Sequence, residues 1–344
     1  MTSWKLLVLF ALLSSCLADT PSDSVKVDPA RKRAEIVVER PGGEVIIYLE
    51  PVSNLVFHTL NMYDLFAGQG TDYALRSDEG ARGAVDTEIR SQFGGSDRHF
   101  SRQGTVSVYS PAMKTFLEQQ AYLKDPDESL LEGLAPAPFG TALTKTWNNF
   151  YREYWNGRFE ALLEEFRKMD ANVRWNEMLG RMERVAGRQW QGTMRVFAVE
   201  ATGSSAFTFA KTVCIGTLKA DDDAGFVHEG LHLLLRKEWA SSPRIAHLMS
   251  DASFQHKIWG SDWASYYEQA FVVLADLHLR TARPRKQMSE EEFLRLNLQG
   301  NGAGELSEIA LGVVLPYLRN PDGRLEEVMW QLVSQSEAKR RAAR

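Results

Sequence analysis

A chain of 344 residues has room for one large domain or two smaller ones, each with its own core. Its composition is that of an ordinary soluble globular protein, with no low-complexity bias and no extreme of charge. A formal net charge of −5 leaves no electrostatic footprint for nucleic acid. The longest basic run near the end, Lys339-Arg340-Arg341, reads as cations at the negative end of a terminal helix dipole.

Residues 1–18 have the pattern of an export signal. Lys5 supplies the positive start, Leu6 to Leu13 the apolar stretch, and small residues lead to Ala18. Two cleavage readings stay open. A cut after Ala18 gives a soluble exported protein. Alternatively, Leu13-Ser14-Ser15-Cys16 resembles a bacterial lipobox, and a cut before Cys16 leaves a lipid anchor there. Residues 19–33, with Pro21 and Pro29, are polar in the manner of a tether. The apolar run is too short to span a bilayer, and no later segment is long and apolar enough. The expectation is a secreted, periplasmic or envelope protein without a membrane span. Cys16 and Cys214 are the two cysteines. With Cys16 removed or lipidated, no disulfide framework is expected, and Cys214 reads as a small buried side chain.

Alternation over Ala34–Glu39 and Glu44–Leu49, around Pro41-Gly42-Gly43, predicts a β-hairpin. Helical spacing follows over 53–67, residues 68–104 are Gly- and charge-rich, and a helix is expected over Ser110–Leu123. Residues 125–140, with Pro126, Pro136 and Pro138, form the best linker candidate. Two amphipathic helices are predicted over Thr144–Met169 and Val173–Ala186. The first carries an aromatic stripe of Trp147, Phe150, Tyr151, Tyr154, Trp155 and Phe159 that reads as core. Strands are expected over Thr193–Glu200 and Ala206–Gly216, separated by Gly203-Ser204-Ser205. Asp221-Asp222-Asp223 then offers N-capping carboxylates to a helix over Ala224–Lys237. Further helices are predicted over Ser261–Thr281, Ser289–Leu298, Glu305–Leu318 and Gly323–Arg340. The fold class is therefore α+β, a small antiparallel sheet beside a mainly helical body. Residues 19–140 form an N-terminal region of unknown role and 141–344 the main domain.

The strongest local signal is His228-Glu229-Gly230-Leu231-His232, an H-E-x-x-H pattern inside a predicted helix. Side chains four apart on a helix project from nearly one face, so two imidazoles converge on one zinc ion. Glu229, rotated about 100° from His228, falls beside that metal, where it can take a proton from a metal-bound water. Phe226, Val227, Leu231 and Leu233–Leu235 would bury the other faces, and a buried helix needs a reason to carry two histidines and a glutamate. A catalytic zinc needs a third protein ligand. Leu235 and Glu238 stand where a metzincin needs glycine and histidine. The best alternative is Glu268, inside the apolar run Tyr266–Leu274. His247, His256, Asp262 and His278 are weaker candidates.

This pattern resembles the gluzincin branch of the zinc metallopeptidases, which includes the thermolysin-like proteases. There a first helix carries H-E-x-x-H and a later one a ligating Glu in an E-x-x-A-like segment. Glu268 with Phe271 approximates that segment, since Ala270 falls one position early. The resemblance covers about residues 193–281. It implies a zincin-like body over 141–344, Zn2+ held by His228, His232 and Glu268, and Glu229 as general base. The implied activity is hydrolysis of a peptide or protein substrate. Tyr266, Tyr267, His247 and His278 are candidate oxyanion donors, and Phe207–Cys214 a candidate edge for pairing with an extended peptide. The alternative is a non-catalytic zinc-binding exported protein or lipoprotein.

Overall fold

The computed structural model describes residues 25–62, 140, 143–144, 146–200, 207–209, 213–218, 224–235, 238–249, 263–279, 289–300, 306–322 and 324–342. The export signal with Cys16 and Ala18 lies outside the described residues. So do the stretch 68–104, the helix Ser110–Leu123, the linker up to residue 139, Gly203–Ser205, Asp221–Asp223, His256 and Asp262.

Among the described residues, six strands form one mixed sheet in the order β1-β2-β3-β4-β6-β5. β1 (Val25–Asp28) falls in the stretch expected as a tether. Its Val25 and Val27 pack partly buried against the core, and it pairs antiparallel with β2 (Arg33–Arg40). β2 and β3 (Gly43–Leu49) make the expected hairpin, with Ala34, Ile36, Val38, Val45, Ile47 and Leu49 turned into the core by the two-residue period. β3 then runs parallel to β4 (Gly192–Val199), and β4 parallel to β6 (Val213–Thr217). β5 (Phe207–Phe209) then returns antiparallel, on the outer side of β6. The α+β class holds, while two of the five pairings are parallel, so the sheet is mixed rather than antiparallel. A Cβ on Gly43 would stand 2.0 Å from the Gly192 carbonyl oxygen, so this crossing needs glycine. Because β3 pairs with β4, residues 25–62 build the same sheet and core as the described residues after 140.

Helix α1 (Pro51–Met62) starts from chemistry visible in sequence. Pro51 occupies the first turn, where its missing N–H is no loss. Glu50 caps the helix, its carboxylate accepting from the amides of Val52 (2.6 Å) and Ser53 (2.7 Å). Asn54 ties α1 to β4. Its Nδ2 donates to the carbonyls of Glu50 and Ala198 at 2.9 and 3.1 Å, and its Oδ1 accepts from the Glu200 amide at 3.0 Å. Burial pushes the Glu50 carboxyl up from 4.5 to about 7, outweighing the hydrogen bonds from Ser53 and Val52 that favour its charge. A raised acid pKa means the folded chain holds this proton more tightly than the unfolded one. Its contribution to stability is full below about pH 4.5 and is lost as pH rises to about 7. The expected size is about 3 kcal/mol at roughly 1.4 kcal/mol per pH unit. Denaturant titrations at pH 5 and pH 8 should show this fall in wild type and a much flatter response in Glu50→Gln. Equal pH responses would remove Glu50 from the account.

The aromatic stripe is core, as its spacing predicts. A π-helical turn (Trp147–Tyr151) leads into α2 (Arg152–Val173), and Trp147, Tyr151, Trp155 and Phe159 are buried with successive ring centroids 6.0–6.4 Å apart. Phe150 has no described side chain. The expected break before the next helix is a single residue. Arg174 adopts a left-handed conformation (φ 50°) and α3 (Trp175–Ala186) follows, ended by left-handed Gly187. After the sheet come α4 (Ala224–Leu235), α5 (Pro243–Met249), α6 (Trp263–Leu279), α7 (Glu290–Gly300), α8 (Ser307–Arg319) and α9 (Leu325–Ala342). α6 is buried from Ala270 through Asp276 and packs on α4, α7, α8 and α9. α4 lies between α6, α3 and the β5–β6 edge of the sheet. Gly216 on β6 permits that approach, since a Cβ there would meet the Phe226 ring at 2.3 Å.

Candidate metal centre

α4 buries Phe226, Val227, Leu231 and Leu233–Leu235, and this fixes the rotation of its polar side. His228, Glu229 and His232 are half-buried on it. The two imidazoles stand edge to face, with centroids 5.1 Å apart and planes at 69°.

The partner helix is α6, which runs antiparallel to α4: His228 meets its C-terminal half and His232 its N-terminal half. His232 Nδ1 lies 2.8 Å from Glu268 Oε1, while Trp239 Nε1–H donates to Glu268 Oε2 at 3.0 Å. His228 Nδ1 lies 3.6 Å from Asp276 Oδ2. Glu268 is only 2% exposed, and its burial is offset by its two hydrogen bonds; Asp276, 5% exposed, stands at ion-pair distance from His228. The other ring nitrogens meet one side chain. His232 Nε2 is 3.0 Å from Gln269 Oε1, and His228 Nε2 is 3.3 Å from Gln269 Nε2. Both Nε2 atoms thus face the same amide, while His232 Nδ1 is hydrogen-bonded to a carboxylate and His228 Nδ1 has one at 3.6 Å. That is the arrangement in which protein carboxylates orient metal-binding imidazoles.

The charges are coupled. Burial opposes an imidazolium at His232, but the hydrogen bond and charge of Glu268, the charge of Glu229 and the contact with Gln269 hold its pKa above the ordinary value. Both His232 nitrogens face oxygen acceptors, which favours the doubly protonated ring. Burial also raises the Glu229 carboxyl, against the lowering influence of His232, His228 and hydrogen bonds from the side chain and backbone of Thr208. Thr208 lies on β5, so the glutamate reaches the edge of the sheet.

Compared with family models, with curated proteins and with solved structures, the chain has no match.

Of the residues expected at the site, His228, Glu229, His232 and Glu268 come together. Glu268, however, addresses Nδ1 of His232 and the Trp239 indole rather than the side where the Nε2 atoms meet. Among the described residues, no three His, Cys, Asp or Glu side chains are grouped to hold a metal ion. The donor set at the Nε2 atoms is two imidazoles and an amide. His247 is exposed on α5, and His278 is in the last turn of α6. Tyr267 turns towards α9, where its hydroxyl bonds Ser336, and Tyr266 is buried beside it at 5.4 Å between centroids. The backbone of Cys214 pairs with Thr208 in the β5–β6 ladder.

Sequence reasoning missed Asp276, Gln269, Trp239 and Thr208. Asp276 and Gln269 left a usable signal. They are seven residues apart in a largely apolar helix, which puts them on one face, and an acid in such a run needs a partner. Trp239 and Thr208 gave none, because their roles depend on which elements pack against α4.

Proposed function

We propose that the chain is a zinc-dependent hydrolase of peptide bonds, exported through the signal read in residues 1–18, with His228 and His232 as metal ligands and Glu229 as general base. The observation that carries this reading is that two imidazoles one turn apart turn their Nε2 atoms to the same side chain, Gln269, with buried carboxylates 2.8 Å from His232 Nδ1 and 3.6 Å from His228 Nδ1 and with Glu229 beside them. Nitrogen donors of this kind suit zinc, and the resemblance of the H-E-x-x-H helix to the gluzincins agrees. A zinc ion, when bound, supplies the Lewis acid that polarises a carbonyl oxygen and acidifies water. Glu229 takes a proton from the attacking water on its carboxylate and returns it to the leaving amine nitrogen. Its burial makes it a stronger base than an exposed carboxylate, and the Thr208 hydrogen bonds hold it in place. β5 is the outermost strand on this side of the described sheet, so an extended peptide could add to it next to Glu229.

A second reading is favoured by the closure of the network. Gln269 already meets both Nε2 atoms, as it would in a non-catalytic zinc site or a polar cross-link between α4 and α6. The deciding experiment is metal analysis of the purified chain after dialysis against metal-free buffer, followed by incubation with a mixed peptide library with and without chelator. About one zinc per chain and chelator-sensitive cleavage is the expected result. Zinc without cleavage transfers the site to the second reading. No zinc, even after reconstitution, removes the peptidase.

A further inference from the structure

We propose that a cleft at the end of α3 binds a phosphate group, carried by a small soluble molecule or by a lipid headgroup. The cleft has a volume of about 420 Å³ and lies between Arg40 at the end of β2, the last two turns of α3 and the connection to β4. Small-ligand pockets span roughly 300–1,000 Å³. Three guanidiniums line it, those of Arg40, Arg184 and Arg188, with the Gln189 side chain and one carboxylate, Glu183. That carboxylate is already engaged. Arg40 donates to both of its oxygens, and the Trp190 amide donates to Oε1 at 3.1 Å. Arg40 is held from its other side by the Asn176 carbonyl at 3.3 Å. With Glu183 balanced by Arg40, the lining of the cleft is net positive, and a concave surface concentrates such a potential. The usual reason for arginine at this end of a helix is to meet its last carbonyls. Here backbone amides do that. Gly187 N–H donates to the Arg184 carbonyl at 3.2 Å, and Arg188 N–H to that of Glu183 at 3.1 Å. Among the described residues, no carboxylate pairs with Arg184. Gly180 completes the geometry. A Cβ there would stand 3.5 Å from Arg40 Nη2 and 3.8 Å from Arg184 Nη1. Two guanidiniums therefore flank one bare stretch of helix, where an anion can reach both. A phosphate monoester brings nearly two charges and three acceptor oxygens, enough for two arginine forks at once, whereas a carboxylate brings one charge and two oxygens.

The test is calorimetric titration of the full chain with inorganic phosphate and with glycerol phosphate at fixed ionic strength, beside co-sedimentation with phosphatidic acid vesicles. Wild type should bind, and Arg184→Ala should weaken binding about 10-fold or more, the usual loss on removing a hydrogen-bonded charge. Gly180→Glu inserts a good helix former that offers the two guanidiniums a carboxylate of their own, and should abolish binding. Arg181→Ala removes the same charge from the same helix, at a residue paired with Glu177, and should leave the affinity unchanged. Binding of the soluble phosphates assigns the cleft to a free ligand. Binding of vesicles alone, lost in Arg184→Ala, assigns it to a lipid headgroup. A wild-type chain that binds none of the three overturns the proposal. So does equal weakening in Arg184→Ala and Arg181→Ala, or undiminished binding in Gly180→Glu.

Discussion

Glu229→Gln should lower turnover about 10²- to 10⁴-fold while zinc content stays at the wild-type level, the range expected for loss of a positioned general base. Glutamine preserves the size of the side chain and can still accept from Thr208, so α4 and its histidines keep their places. What it removes is the ability to bind a proton at that point. The same burial that makes Glu229 a better base sets the pH response. Its raised pKa moves the acid limb of activity upward from the ordinary glutamate range, because the group must be ionised to accept a proton. An acid limb present in wild type and absent from the residual rate of Glu229→Gln would support the assignment. Full activity in the variant with zinc in place would assign the base elsewhere.

The largest expected loss of stability is at Trp155. Trp155→Ala should cost about 3–5 kcal/mol, the usual range for truncating a large buried aromatic. That is a large part of the 5–15 kcal/mol typical of a folded domain. The ring is fully enclosed between Tyr151 and Phe159, and its indole N–H donates to the Lys32 carbonyl at 2.9 Å. That bond fastens α2 to the turn between β1 and β2. Trp155→Phe keeps most of the apolar surface and loses the hydrogen bond, so its cost should be nearer 1 kcal/mol. Denaturant unfolding of the two variants separates packing from hydrogen bonding. An alanine variant within about 1 kcal/mol of wild type would mean that the stripe is not core.

Periodicity made much of this legible. The hairpin β2–β3, the break between α2 and α3, and the helices of the second half other than α5 follow from local spacing, because their apolar faces and turn residues lie close together in the chain. The order of the sheet was not legible. Nothing local to Gly43–Leu49 says that its neighbour is Gly192–Val199, or that β6 rather than β5 lies beside β4. Part of the candidate site divides along the same line. His228, Glu229 and His232 are visible because one helix carries them at a diagnostic spacing. Glu268 was visible as an acid in an apolar run. Which way it faces was not, since that depends on Trp239 and on the register between α4 and α6.

The β3–β4 pairing has a kinetic consequence. Glu44 and Thr193 bond across a separation of 149 residues, at 3.0 Å. Closing a loop of that length costs about 4 kcal/mol of chain entropy beyond a constant. The helices can form within about a microsecond, but this contact must be found by the whole chain. α4 rests on β6, β6 on β4, and β4 on β3. The α4–α6 contact that brings Glu268 to His232 spans only 36 residues and needs no help from β3. The carboxylate can therefore meet the H-E-x-x-H helix before the sheet beneath that helix is complete.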